Sequence, residues 1–304
     1  MFLKFLLVFT FAQQNNYINY FQLCNEAEVS ICKEDIETAV RCYQDAFQTV
    51  NYPLVKDLYN ATICTAISKQ DSLMFVCLEL CLKRGVLLSV FEDNFLAFGV
   101  FLEDVRWHNL KSKQKIFQEE YKTSINLACK NTLQKMDELD QQARNSLKGY
   151  AFFSKKKKVK VIENIQKTDS LISLQIDSLI LLYGYPSEKQ LGIGKGLGKR
   201  NPIVFFHRTD SLFVYHTEYT ALQHGCITPF YYSAKVDYAR TKEQSPYYWN
   251  MYYMTDLPSE KIDEVDNRRR AIGMPTIKEE EVMRQYFYKT KNMYKFQMAV
   301  YFRK

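Results

Sequence analysis

The sequence predicts a mainly α-helical protein: helical hairpins first, then a second, mostly helical domain with room for one short strand or hairpin. Three observations carry this. Apolar residues recur at helical spacing, with Ala39, Tyr43, Ala46 and Phe47 at i, i+4, i+7 and i+8. The stripe returns 35 residues later, where Met74, Leu78 and Cys81 match Ala39, Tyr43 and Ala46. Helix-stop residues also fall where periodic stretches end: Gly85, then Gly184 with Pro186, then Gly273 with Pro275.

Taken in order, Asp35–Phe47 and Asp71–Leu82 are the two repeated helices. Leu58-Tyr59-Asn60-Ala61 opens a helix between them, and its upstream counterpart is Leu23-Cys24-Asn25-Glu26. A helical hairpin recurring near 34 residues resembles the tetratricopeptide repeat, in which each hairpin buries its face on the next. The large aromatic and the glycine of that repeat's first helix are missing here, and a plain helical bundle is the alternative. Phe91 to Trp107 reads as a third, incomplete hairpin. Lys113 to Lys148 reads as one long helical stretch, with Ile125, Cys129, Met136, Leu139 and Ala143 near heptad spacing, suited to cap a solenoid.

Gly149 to Lys167 reads as a linker or loop. It holds Lys155–Lys158 and Lys160 beside Phe152 and Phe153, a run that can attract nucleic acid or anionic lipid but otherwise marks a solvated loop. No nucleic-acid recognition fold surrounds it. Thr168 or Asp169 can then cap a helix carrying Leu171, Ile172, Leu174, Ile176, Leu179, Ile180 and Leu182, closed by Gly184. Pro202–Phe206 has the composition of a strand and equally that of a buried helix start. Residues 211–240 are helical in part, with Gly225 as a break. Pro258 opens the last clear helix, with Ile262, Val265 and Ile272 facing inward.

A chain of 304 residues with 47% hydrophobic and 25% charged residues can bury two modest cores, which excludes wholesale disorder. The N-terminus has the pattern of a secretory signal peptide: Lys4, an apolar core Phe5–Phe11, and small residues at Thr10 and Ala12 before Gln13-Gln14-Asn15-Asn16. The expected organisation is therefore a signal peptide at 1–12, a repeat scaffold at 13–130 and a second domain at 131–304. The expected location is periplasmic or secreted. No other apolar stretch approaches the ~20 residues of a membrane span. Eight cysteines in an exported chain raise the question of disulfides. Seven lie in the helical first half, several at core spacing such as Cys77 and Cys81, which suits small buried hydrophobes. No Cys-x-x-Cys and no Cys/His cluster has zinc spacing, so neither a metal nor a cofactor is expected.

Chemistry has three candidate locations. Leu191–Lys199 holds four of the ten glycines, but Ile193 stands where a phosphate loop needs its first Gly, and Arg200 where it needs Ser/Thr. Its backbone amides with Lys195 and Arg200 could still hold an anion. His207, His216 and His224, with Glu218 and Asp237 nearby, offer acid/base groups that could equally be ordinary hydrogen-bonded side chains. Asp140 and Arg144 lie one helical turn apart, either as an exposed pair of little consequence or as part of a site. The aromatic stretch Tyr247-Tyr248-Trp249, with Tyr252 and Tyr253, suits a packing surface or stacking on sugars and bases.

Several short motifs then fall in a shared order: Asp140-Gln141-x-x-Arg144, Tyr183-Gly184-Tyr185-Pro186, His207, Ala234-x-x-Asp237 and Arg269-x-x-Ile272-Gly273. The region from about Leu133 to Pro275 resembles a bacterial domain family of unassigned function. That family is marked by Asp-Gln-x-Tyr-Arg, Tyr-Gly-Trp-Pro, a His after an apolar run, Tyr-Ala-x-Leu-x-Asp and Arg-x-x-Ile-Gly-Leu. Here Ala143 replaces the Tyr of the first motif and Tyr185 the Trp of the second. The resemblance points to a site containing Asp140, Arg144, His207 and Asp237, with Gln141 and Arg269 as binding residues, to which the glycine loop adds Lys195 and Arg200 and the histidine group adds His216. It supplies no mechanism. Two functions follow as expectations: a protein-binding or envelope-associated module using a concave repeat surface, with no specific nucleic acid partner, or a hydrolase-like enzyme built on those four side chains.

Overall fold

The computed structural model describes residues 16–148, 150–194, 197, 203–242, 259–289 and 293–295. Among these the chain is helical, with no strand. The first four helices are α1 (Tyr17–Cys32), α2 (Ile36–Gln48), α3 (Val55–Ile67) and α4 (Asp71–Lys83). Asn16 caps α1 by accepting from the Asn19 amide, and Asp35 caps α2 by accepting from the Thr38 amide. The helices pack as α1 on α2 and α3 on α4, and Ala39, Tyr43, Met74 and Leu78 are all buried at the expected positions.

The 35-residue offset recurs in the turns. Glu34 (φ 61°) and Lys69 (φ 56°) both enter the left-handed region, and each is flanked by the same bonds: Asp35 N to Ser30 O and Gln70 N to Thr65 O, each 3.0 and 2.9 Å respectively. Two helix ends thus close with one hydrogen-bonding pattern without glycine. The third unit shrinks to the short helices α5 (Ser89–Glu92) and α6 (Phe95–Phe98) and a 3-10 turn, Gly99–Phe101. α7 (Val105–Ser124) then packs back on α4 through Trp107, Leu110 and Phe117.

Two sequence expectations change here. Lys113–Lys148 is two helices, α7 and α8 (Leu127–Asn145), because Ile125 is extended (ψ 135°) and the Asn126 side chain caps α8 at the Cys129 amide. The stretch 149–167 is largely helix: α9 (Lys155–Tyr183) starts at the lysine run itself, capped by Ser154. The reason is the stripe Val161, Ile165, Ile172, Ile176 and Leu179, which is buried against α8. Packing outweighs the poor fit of lysines to a helix N-terminus. The helices run antiparallel: Ala143 meets Val161 and Ile165, while Cys129, Leu133 and Met136 share a core with Ile172, Ile176 and Leu179. The boundary expected at residue 130 falls inside α8.

Gly184 (φ 73°) ends α9, and α10 (Glu188–Leu191) follows through a Ser187/Gln190 capping box. Residues 203–207 are helix, α11 (Ile203–His207), and no strand forms there. A π-helical turn, Phe213–Glu218, leads into α12 (Tyr219–Gln223), with α13 (Pro229–Lys242) beyond Gly225. A 3-10 turn, Ser259–Lys261, precedes α14 (Ile262–Ala271). The sequence reading ended its helices here, but α15 (Ile277–Lys289) follows. Thr276 and Glu279 cap it reciprocally: each side chain accepts from the other's backbone amide.

The second half of the chain covers α1 and α3. Tyr17 packs on Gly225 and Phe21 on Gly273, while Asn25 donates to the Gly273 carbonyl at 2.6 Å. Asn60 exchanges two hydrogen bonds with the Lys295 backbone, at 2.8 and 2.9 Å. Leu54, at the start of α3, has no side-chain cap. Instead the buried Glu188 carboxylate accepts from the Val55 amide at 3.0 Å. One apolar core accordingly runs from Tyr17 to Tyr294. These contacts cover parts of α1 and α3 with the chain's own second half.

Candidate functional site

Asp140, Arg144 and His207 meet where α11 crosses the α8–α9 hairpin. Asp140 and Arg144 share a face of α8 because they are four residues apart. Arg144 Nε donates to both Asp140 oxygens, at 2.9 and 3.1 Å. Its terminal nitrogen reaches Asp169 of α9 at 2.8 Å. His207 ends α11, and its Nδ1 lies 2.9 Å from Asp140 Oδ1 and 3.2 Å from Arg144 Nε. Asp140 is almost wholly buried (1% exposed), whereas Arg144 and His207 keep 25% and 21% of their side chains in solvent.

The neighbouring residues explain how α11 is held. Asp137, one turn before Asp140, accepts from the Val204 amide at the start of α11. Burial pushes its carboxyl above the usual range, Asp140 adds to this, and His207 opposes it. Tyr185, from the Tyr-Gly-Tyr-Pro motif, packs its ring against Phe205 with centroids 5.0 Å apart. Its hydroxyl donates to Glu218 Oε1 at 3.3 Å. Lys235 of α13, fully buried, donates to the Phe205 carbonyl and lies 3.8 Å from Glu218. Burial raises the Glu218 carboxyl to about 7, against the opposing pull of Lys235 and Tyr185. Arg208, next to His207, bonds to Asp177 and to Asp210 at 2.8 Å, with its guanidinium 4.2 Å from the Phe213 ring centre.

Chemically, the Asp140–His207 contact has two forms. With the proton on Nδ1 the imidazole donates to Asp140 and leaves Nε2 as a base. With Nδ1 bare it accepts from Arg144, and the proton sits on Nε2. Among the described residues no hydroxyl or thiol is hydrogen-bonded to His207.

Among the other expected residues, Gln141 adjoins the group and Arg269 belongs to a different contact. Asp237 is buried on α13, two residues from Lys235. Gln141 is exposed, with its amide 3.5 Å from Asp140 Oδ2. Arg269 is remote in role: fully buried, it pairs with Glu280 and donates to the Pro275 carbonyl at 2.6 Å, tying α14 to α15. Its guanidinium is engaged within the fold. Lys195, Arg200, Pro258, the aromatic stretch from Tyr247 to Tyr253 and the signal-like segment lie outside the described residues.

His216 lines a separate cleft of 720 Å³ with His224, Cys226, Tyr185 and Gln190. Sequence reasoning did not pair Cys226 with these histidines, because the bend at Gly225 (φ 68°) brings them together. The eight cysteines are thiols rather than disulfides, and burial raises those of Cys24, Cys64, Cys77, Cys81 and Cys129. They pack as the apolar residues their spacing suggested. Among the described residues no group of three His, Cys, Asp or Glu side chains is placed to hold a metal, and no helix is long and apolar enough to cross a membrane.

No family model, curated protein or solved structure matches this chain.

Proposed function

We infer that this chain is a protein-binding module of the bacterial envelope, built on two degenerate tetratricopeptide-like hairpins. The observation that carries this reading is a second apolar stripe on α9, turned away from its core face. Leu171, Leu174, Leu181 and Leu182 are 50%, 67%, 87% and 71% exposed and follow helical spacing. An amphipathic helix of a partner suits such a stripe, through anchors at i, i+3 and i+7. The partner surface is accordingly read on the hairpin, since the chain's own second half packs on α1 and α3. The group of Arg144, Asp169 and His207 around the buried Asp140 then serves to hold α11 across that hairpin. Export rests on the signal-like pattern of residues 1–12, and N-terminal sequencing of native protein tests it, since intact Met1 in the cytoplasmic fraction would remove that part.

The partner reading is tested with a photo-reactive residue at 174 or 181, compared with one at exposed Lys113. A defined adduct at 174 and 181, absent at 113 and abolished by Leu171→Asp without loss of stability, supports it. Equal labelling at all three positions rejects it.

The 2.9 Å Asp140–His207 contact supports a second reading, a hydrolase-like enzyme with His207 as general base. Turnover of a simple ester or phosphoester that is lost in His207→Gln would establish it. Unchanged turnover in that variant ends it.

A further inference from the structure

The end of the α8–α9 hairpin concentrates the charge of the whole molecule. Between Asp140 and Glu163 there are seven cations and no carboxylate: Arg144, Lys148, Lys155, Lys156, Lys157, Lys158 and Lys160. The chain has 41 Lys and Arg against 34 Asp and Glu, so without these seven the remaining 34 cations are matched by 34 acids. Arg144 is spent on Asp140 and Asp169. The six lysines have no ion-pair partner among the described residues, and five of them are exposed, Lys158 being half-buried.

Their arrangement is ordered. Lys157 lies 3.8 Å from the centre of the Phe153 ring and Lys158 5.3 Å from that of Tyr150, which fixes their stems at the tip. At the same tip Phe152 is 94% exposed, and Val159 and Leu147 are 50% and 37% exposed. A phenylalanine held in water among lysines is a poor arrangement for a solvated loop. It suits a surface that is negatively charged outside and apolar a few ångströms in. The position of the lysines in the first turn of α9 points the same way. There the positive end of the helix dipole adds to their repulsion, and an anionic surface relieves both.

We propose that the tip of the α8–α9 hairpin docks on anionic lipid headgroups at a membrane surface, with Phe152 entering the interface and the six lysines around it contacting the headgroups. The ends of two antiparallel helices make a convex tip, which fits a flat bilayer better than a nucleic acid groove. Peripheral binding of this kind combines cationic attraction, which fades within a Debye length, with burial of a few apolar side chains. It needs no membrane-spanning segment and does not depend on the leucine stripe further along α9.

The test is vesicle flotation of the full chain. Vesicles of phosphatidylcholine alone are compared with vesicles containing about one third phosphatidylserine, at low salt and at ~0.5 M salt, where screening is strong. The expected result is binding to the anionic vesicles only, lost at high salt. Lys155→Glu with Lys156→Glu and Lys160→Glu should reduce it at least tenfold. Phe152→Ser should reduce it severalfold while leaving its salt dependence. Both variants should keep their helical circular dichroism, with melting unchanged for Phe152→Ser and unchanged or raised for the triple variant, whose glutamates suit a helix N-terminus. Equal binding to both vesicle types, or unchanged binding of the triple variant, overturns the proposal. Tighter binding to a single-stranded oligonucleotide that displaces the vesicles also overturns it, in favour of nucleic acid.

Discussion

Asp140 Oδ1 and His207 Nδ1 lie 2.9 Å apart although 67 residues separate them, and Arg144 Nε bonds to the first and touches the second. The group resembles an acid–base pair, but its burial makes it a clamp as well. Asp140 is the member shielded from water, so it is the one whose loss the fold should feel.

Asp140→Ala should destabilise the protein by about 1–3 kcal/mol, the usual range for removing a buried, charge-assisted acceptor. The exposed parts of Arg144 limit the cost, since its freed guanidinium can reach solvent and still hold Asp169. His207→Ala should cost less, because the histidine is partly exposed. Urea unfolding of the two single variants and the double variant gives the coupling directly. A coupling near zero would mean that the contact contributes nothing.

Leu78→Asp is a sharper test of the repeated hairpins. Leu78 is fully buried on α4 where Tyr43 stands on α2, so the substitution places an unpaired charge in the core. The expected outcome is loss of the cooperative thermal transition, whereas Leu181→Asp on the exposed face of α9 should leave it intact. A normal melt for Leu78→Asp would contradict the packing of α4.

Stability should also depend on pH through Glu218. Its carboxyl is raised to about 7 in the folded state, from an ordinary value near 4.5. Below 4.5 both folded and unfolded chains hold this proton, and the term is fully present. Between 4.5 and 7 only the folded chain holds it, so this contribution declines as pH rises and is lost above 7. Glu218→Gln should therefore flatten the decline in melting temperature between pH 5 and 7.5. Parallel pH profiles for the two proteins would show that Glu218 carries no such term.

The parts of this fold that a sequence shows are those written in local periodicity. The stripes of α2 and α4 were legible because Ala39, Tyr43, Met74 and Leu78 each lie on one helical face. α15 is also legible in principle, since Thr276-x-x-Glu279 is a capping box, but Gly273 and Pro275 just before it read as a helix stop. The start of α9 was hidden because four lysines argue against a helix N-terminus, and only α8, packed alongside, outweighs them. Of the site, Asp140 and Arg144 could be paired from their spacing, and His207 joined them through the order of the motifs. Glu188 capping α3 from 133 residues away, and Lys235 under α11, leave no local pattern to read.

How the second half is locked onto the first can be tested at glycines that differ in their surroundings. Gly225 has φ 68°, and an added Cβ would lie 2.3 Å from the Tyr17 ring, which α1 and the Tyr17–Tyr52 hydrogen bond hold in place. Gly184 has a similar φ of 73°, but a Cβ there meets nothing within 4 Å. Both substitutions to alanine force a Cβ onto a positive φ, at roughly 1–3 kcal/mol each, and Gly184, with ψ 179°, sits in the part of that region that only glycine readily adopts. Only Gly225→Ala adds overlap with a buried aromatic ring, typically another 1–3 kcal/mol. By urea unfolding, Tyr17→Ala should therefore relieve part of the cost of Gly225→Ala by removing the ring it strikes, and should give no such relief to Gly184→Ala. No relief of Gly225→Ala by Tyr17→Ala would mean that the bend at Gly225 does not rest on α1.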